Sequence, residues 1–173
     1  MGVKVFDLMQ IHNLVDWKTQ LATLRRWKDE GRIRYLGITH YRSSAYADLA
    51  RIIKSEPVDF LQVNYSLAEP ESARELLPLA ADNGVAVIIN RPFRRGALFD
   101  YVKDKPLPTW AGEFDCVNWA QFFLKFIVSH PAVTCAIPAT SQVKHIKENM
   151  GACYGALPDA DMRARMIAYV ENL

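Results

Sequence analysis

The chain lacks most features that would assign a protein to a class at sight. No apolar run approaches the ~20 residues that a membrane-crossing helix needs, so no membrane association is expected. The amino terminus, MGVKVFDLM, has no long apolar segment followed by a small-residue cleavage site. Its sixth residue is Phe, where a myristoylation signal needs Ser or Thr. Cysteine is scarce. Cys116, Cys135 and Cys153 lack metal-ligand spacing, and one stays unpaired under any disulfide scheme, so reduced thiols in a cytoplasmic protein are expected. Charge of one sign is scarce too: a formal net charge of +2 argues against nucleic acid as a partner. The densest basic cluster, Arg91, Arg94 and Arg95, suffices for one phosphate group and not for a duplex track. Neither linker nor low-complexity segment divides the 173 residues, half of which are apolar, and a single domain over 1–173 is expected.

What is present is alternation. KVFDLMQI (4–11), IRYLGI (33–38), DFLQVN (59–64), VAVII (85–89) and VTCAI (133–137) are short, apolar on both faces, and rich in β-branched or aromatic residues. Strands of a helix-covered parallel sheet have this character. Asp16 can cap a first helix that turns Leu21 and Leu24 inward, with Gly31 after its last turn. Ser43 or Ser44 can cap a second, with Leu49, Ile52 and Ile53 inward, and Pro70 suits the first turn of a third that buries Leu76, Leu77 and Ala80. Trp119, Phe122, Phe123, Phe126 and Ile127 form a broad stripe read as core packing. That helix ends at His130-Pro131, where His130 is expected to complement the helix end electrostatically. Thr140 or Ser141 opens a helix with Val143, Ile146 and Met150 inward, and Asp159 opens the last, with Met162, Met166, Tyr169, Val170 and Leu173. The order β-α-β-α-β-α-β-α-β-α-α implies right-handed crossovers and a parallel sheet. One long irregular connection, Asn90 to Asp115, is of the kind that is often functional.

In parallel α/β folds the ligand sits beyond the carboxyl ends of the strands. Those ends read QIHN (10–13), GITHY (37–41), LQVNYS (61–66), IINRPF (88–93) and AIPATS (136–141), and each brings hydrogen-bonding side chains out of an apolar run. The opposite rim (DEGR, SEPVD, DNG) is ordinary charged turn sequence. A small-molecule site at the first rim follows. A helix opening at Thr140-Ser141 would favour a phosphate through its free N–H groups, with His145 near the same end, although either residue can equally be a plain cap. His12 and His40, each at a strand end, suit proton transfer near neutral pH, and each can also be structural.

The stretches DLMQIHN, LRRWKDEGRIRYLGITHY, LQVNYSLAEPE, LLPLAADNGVAVIINRPFRRGALF and IPATSQVKHIKENM, in this order and spacing, resemble the aldo-keto reductase superfamily. The resemblance covers nearly the whole chain. It implies part of a (β/α)₈ TIM barrel: about five parallel βα units corresponding to the fourth to eighth barrel strands, plus a C-terminal helix. It also implies NADP(H)-dependent reduction of a small aldehyde or ketone. By resemblance His12 is the substrate-orienting catalytic histidine, while the family's catalytic Asp, Tyr and Lys have no counterpart in these residues. The proton donor would then be His12, water, or Tyr41 or Tyr65 on the same rim, with weak activity. Thr39-His40 stands where the family has Ser-Asn to hold the nicotinamide carboxamide, and Gln62 matches the glutamine that completes that grip. Asn90, with Arg91-Pro92-Phe93, replaces the family's stacking Tyr before Ser-Pro-Leu, and Arg91 and Arg95 can meet the pyrophosphate. After Pro138, Ala139 and His145 stand where a Lys and an Arg often hold the 2′-phosphate, while Thr140, Ser141, Glu148 and Asn149 fit the pattern. No metal is implied.

A complete barrel takes ~250 residues or more, and five strands cannot close one. The strands at 4–11 and 133–137 should have open edges and adjoining apolar surface, which points to a homodimer or higher homo-oligomer. The alternative to an enzyme is a non-catalytic module that binds a nucleotide or a flat heteroaromatic ligand and self-associates.

Overall fold

The computed structural model describes residues 2–173. Strands β1 (Phe6–His12), β2 (Ile33–Thr39), β3 (Phe60–Asn64), β4 (Ala86–Asn90) and β5 (Cys135–Ala136) form one sheet in the order β1-β2-β3-β4-β5, with every pairing parallel. Helices α1 (Trp17–Asp29), α2 (Tyr46–Ser55), α3 (Leu76–Asp82), α4 (Ala97–Tyr101), α5 (Trp119–Val128), α6 (Val143–Met150) and α7 (Ala160–Glu171) fill the connections and the carboxyl end. This is the expected run of parallel βα units, open at β1 and β5. The fifth strand is shorter than the 133–137 expected, pairing with β4 only at Cys135 and Ala136.

Period-two alternation gives the sheet two different faces. Ile11, Ile38, Leu61, Val63, Val87 and Ile89 are fully buried under the helices. The intervening residues, among them Gln10, His12, Tyr35, Gly37, Thr39, Phe60, Gln62, Asn64 and Asn90, line the other face. Gly37 is required there. A Cβ on it would lie 2.7 Å from the Phe60 carbonyl oxygen and 3.3 Å from Gln10 Cγ, so glycine lets the neighbouring strands' residues close across it. Phe60 then meets Tyr35 edge-on, with ring centroids 5.5 Å apart.

The inward residues expected on α1, α2 and α3 are buried, as are Phe122, Phe123, Phe126 and Ile127 on α5 and Met166 and Val170 on α7. Several expected helix starts differ. Asp16 precedes α1 with a left-handed backbone (φ 43°), and its carboxylate accepts from the Thr19 hydroxyl instead of a backbone N–H. Ser43 and Ser44 belong to a 3₁₀ turn before α2, and Pro70 leads into another (Glu71–Arg74) before α3. Neither Thr140 nor Ser141 opens α6. Thr140 Oγ1 accepts from the Gln142 N–H, closing a turn, and the helix begins at Val143. Asp159 does cap α7, accepting from the Met162 N–H. The connection from Asn90 to Asp115 is less irregular than expected, for it contains α4 and a 3₁₀ helix over Thr109–Phe114.

Two further corrections concern charge and burial. Val143, Ile146 and Met150, expected inward, are 68%, 48% and 53% exposed, and the residue that α6 buries is Asn149. Strand β5 leaves its outer edge without a strand partner among the described residues. His130 does not act as a cation at a helix end. Burial and the Arg163 charge lower its pKa below 6.5, and its Nδ1 accepts from the Ala132 N–H. Beneath α5, the fully buried Lys125 ammonium donates to the carbonyls of Phe114 (2.7 Å), Tyr154 (2.7 Å) and Ala156 (2.9 Å).

Candidate functional site

Strand register sets the first group of site residues in a row. His12 pairs with Thr39 and Thr39 with Gln62, so three polar side chains stand abreast on adjoining strands. With strands about 4.8 Å apart the row spans about 10 Å. Two residues further along, Asn64 pairs with Asn90. The backbone is strained where it leaves this row. Of the seven described non-glycine residues at positive φ, six follow β1 or β4: Asn13, Leu14, Asp16, Arg91, Arg94 and Arg95. Left-handed backbone on such residues is unfavourable, and it concentrates at functional sites.

His12 is exposed at the end of β1. His40 extends β2, with its N–H bonded to the Gln62 carbonyl (3.1 Å) and its ring stacked on Tyr41. Its Nδ1 accepts from the Arg42 N–H (3.1 Å), which fixes the neutral ring with its proton on Nε2. Burial first, then the charges of Arg42 and His12, lower its pKa below 6.5. Asn90 Nδ2 donates to the His40 carbonyl (3.4 Å), while Asn90 Oδ1 is buried without a partner. Arg91 lies against Tyr41. Tyr65 is not on the rim: it is 2% exposed, packs on Phe126 and His130, and burial pushes its hydroxyl up to about 12. It is thereby removed as a proton donor.

Arg91-Pro92-Phe93 leads from the row to a second group. Phe93, Ala139, Thr140, His145, Glu148 and Asn149 line one cleft of about 480 Å³. Pro92 is buried beside it, and Arg95, Pro138 and Ser141 are not among its walls. Four wall residues were not anticipated: Phe99 on α4, and Asn118, Trp119 and Ala120 at the start of α5. Asn118 caps α5 through its side chain, a signal legible in the sequence as an Asn before an apolar stripe. Phe93, Phe99 and Trp119 give the cleft flat apolar walls, and Thr140, Glu148 and Asn149 give it polar ones, but no Lys or Arg lines it. Among the described residues no three His, Cys, Asp or Glu side chains gather as a metal site. No helix among them is long and apolar enough to cross a membrane.

Several curated relatives match. An uncharacterized oxidoreductase of Schizosaccharomyces pombe is 28% identical over 88% of this chain and 48% of its own length. An aldo-keto reductase of Strobilurus tenacellus is 25% identical over 95% of this chain and 58% of its own. The chain therefore spans about half the length of these relatives. Among solved structures, an aldo-keto reductase from Bacillus halodurans in its holo form superposes with a TM-score of 0.75 at 21% identity, over 97% of this chain and 62% of that one. One from Klebsiella pneumoniae, in complex with NADP and acetate, gives 0.74 at 19%, over 97% and 60%. These likenesses establish the fold as part of the barrel of those proteins. The model of the aldo/keto reductase family matches residues 1–168, and the chain belongs to that family.

Proposed function

We propose that the chain contributes to an NADP(H)-dependent oxidoreductase that reduces a small aldehyde or ketone. The observation that carries this reading is the row His12–Thr39–Gln62, capped by Asn90 and continued by Phe93 into the aromatic cleft. A dinucleotide has one flat amide-bearing ring, a charged middle and one flat heterocycle. Unpartnered Asn90 Oδ1, the basic residues Arg91 and Arg95, and the cleft walled by Phe93 and Trp119 fit those three parts in order along the chain. The Klebsiella pneumoniae relative, solved with NADP, supports the choice of cofactor.

When bound, the dinucleotide supplies the hydride. Thr39, Gln62 and Asn90 hold its carboxamide, and His40 offers Nε2–H as a donor where an amide commonly stands. Arg91 and Arg95 meet the pyrophosphate. Thr140, His145, Glu148 and Asn149 take the adenosine end, with Pro92, Pro138, Ala139 and Ser141 shaping the approach. His12 donates to the carbonyl oxygen of the substrate and orients it. Tyr41 on the rim, or His12 itself, delivers the proton that completes the alcohol.

NADPH fluorescence titration, followed by loss of its near-ultraviolet absorbance with a reactive aldehyde, tests this in wild type and His12→Ala. Expected are saturable binding in both and turnover that falls by ~10²–10⁴ in the variant. Turnover indifferent to His12→Ala would remove His12 from the mechanism, and binding without any turnover would favour the non-catalytic module. The unpaired edges of β1 and β5, together with exposed Val143, Ile146 and Met150, support self-association as a homodimer or larger. Sedimentation showing only monomer at micromolar concentration would count against it.

A further inference from the structure

We propose that Tyr41, Arg42 and Arg91 form a receptor for one oxyanion, a carboxylate or a phosphoryl group, carried by the ligand that enters over the carboxyl ends of the strands. Both guanidinium groups lie against the same phenol ring, Arg42 Cζ at 5.3 Å and Arg91 Cζ at 5.2 Å from its centroid. Arg42 Nε also donates to the Tyr41 hydroxyl (3.1 Å), and Arg91 Nη1 makes a long bond to the Tyr41 carbonyl (3.4 Å). A guanidinium packed on an aromatic ring keeps its in-plane N–H groups free, and those are the donors that fork onto carboxylate or phosphate oxygens.

The corner holds unspent donors and uncompensated charge. Arg91 Nε is buried with no acceptor, and Asn90 Oδ1 beside it is buried with no donor. Buried polar atoms are ordinarily paired, so the Arg91 Nε donor awaits an acceptor such as an oxyanion, whereas the Asn90 acceptor awaits an N–H donor such as the carboxamide. Arg91 reaches this position through a left-handed backbone (φ 51°) that no glycine relieves. Arg94, three residues on, is by contrast neutralised by Glu69 (3.4 Å). Among the described residues no carboxylate pairs with Arg42 or Arg91. Two like charges sharing one ring without a counter-ion repel each other, and an anion bridging them turns that repulsion into affinity.

This deepens the proposed reading and rests on it only for where the ligand enters. The test titrates the whole chain calorimetrically with inorganic pyrophosphate and, separately, with benzoate, at low and at physiological salt. Expected is millimolar or tighter binding of at least one probe, weakening as salt rises. Arg42→Gln and Arg91→Gln should each loosen it about tenfold or more, and Arg91→Lys should not restore it. Binding of pyrophosphate alone identifies a phosphoryl group, and of benzoate alone a carboxylate. Arg32→Gln, at the other end of β2, is the charge control and should change nothing. Failure of both probes, indifference to Arg42→Gln and Arg91→Gln, or equal loss in Arg32→Gln would overturn the proposal. A chain that binds pyrophosphate through Arg42 and Arg91 but gives no NADPH response would sink the dinucleotide reading alone.

Discussion

Replacing Lys125 by methionine tests whether one buried ammonium ties two loop segments to α5. The ammonium is fully buried, pairs with no carboxylate among the described residues, and satisfies the carbonyls of Phe114, Tyr154 and Ala156 at 2.7, 2.7 and 2.9 Å. Those carbonyls belong to the end of the long connection after β4 and to the loop between α6 and α7, so one side chain ties both segments to α5. Methionine keeps the packing and removes every donor. Each buried carbonyl left without a donor costs about 1–3 kcal/mol, hence about 3–9 kcal/mol for three. Against that, the fold no longer bears the desolvation of a buried cation, several kcal/mol in effective terms. The net expectation is a loss of about 2–4 kcal/mol, which is severe against a typical total of about 5–15 kcal/mol. In urea the unfolding midpoint should fall with the slope unchanged. Hydrogen exchange should accelerate first around Tyr154 and Ala156. A loss below about 1 kcal/mol with a normal slope would mean that water reaches the three carbonyls, and the description of a closed cage would be wrong.

Gly37→Ala should destabilise by about 1–3 kcal/mol, since its Cβ would press on the Phe60 backbone, whereas Gly112→Ala, with open space around it, should be nearly neutral by the same denaturation assay. His40 and His130 both have pKa values lowered below 6.5, so the unfolded chain binds more protons as pH drops through 6.5. The contribution of these two histidines to stability should therefore be level above that pH and decline below it toward the folded pKa values, and NMR titration midpoints at or above 6.5 would refute the burial argument. Because no Lys or Arg lines the cleft, Ala139→Lys or His145→Arg should tighten NADPH about tenfold while leaving NADH unchanged, as measured by fluorescence titration.

Strand and helix identity was legible because the strands are short runs rich in β-branched and aromatic residues and the helices carry apolar stripes at helical spacing, and both patterns survive in sequence. Helix starts were less so, for one reason. Ser, Thr, Asp and Pro mark places where the backbone turns, but a side-chain oxygen has several donors to choose from. Asp159 and Asn118 take the N–H three residues on and are true caps. Asp16 spends its carboxylate on the Thr19 hydroxyl, and Thr140 spends its hydroxyl on the Gln142 N–H. The sequence is the same kind of signal in all four cases; the left-handed backbone of Asp16 (φ 43°) sets it apart from the extended caps Asn118 and Asp159. The outward face of α6 was misread differently. Val143, Ile146 and Met150 have the spacing of an inward stripe, and periodicity reports that a face is apolar without reporting whether anything lies against it.

The same distinction governs the site. Its row was legible because strand ends can be located to within a residue or two, and a parallel register then sets His12, Thr39 and Gln62 abreast with no further information. The cleft was half legible. Trp119 was assigned to the core, and it does stack on Phe123 with centroids 5.6 Å apart, yet the same side chain also walls the cleft. An aromatic residue has enough surface for both roles, so a periodicity argument that establishes packing leaves ligand contact undecided. The arginine corner was out of reach altogether. Arg91 and Tyr41 are 50 residues apart, and they meet where the left-handed backbone of Arg91 and the Asn90–His40 bond join the end of β4 to the end of β2. Residues that depend on rare backbone conformations for their encounter leave no periodic trace, and the chemistry they create has to be read from the atoms they leave unpaired.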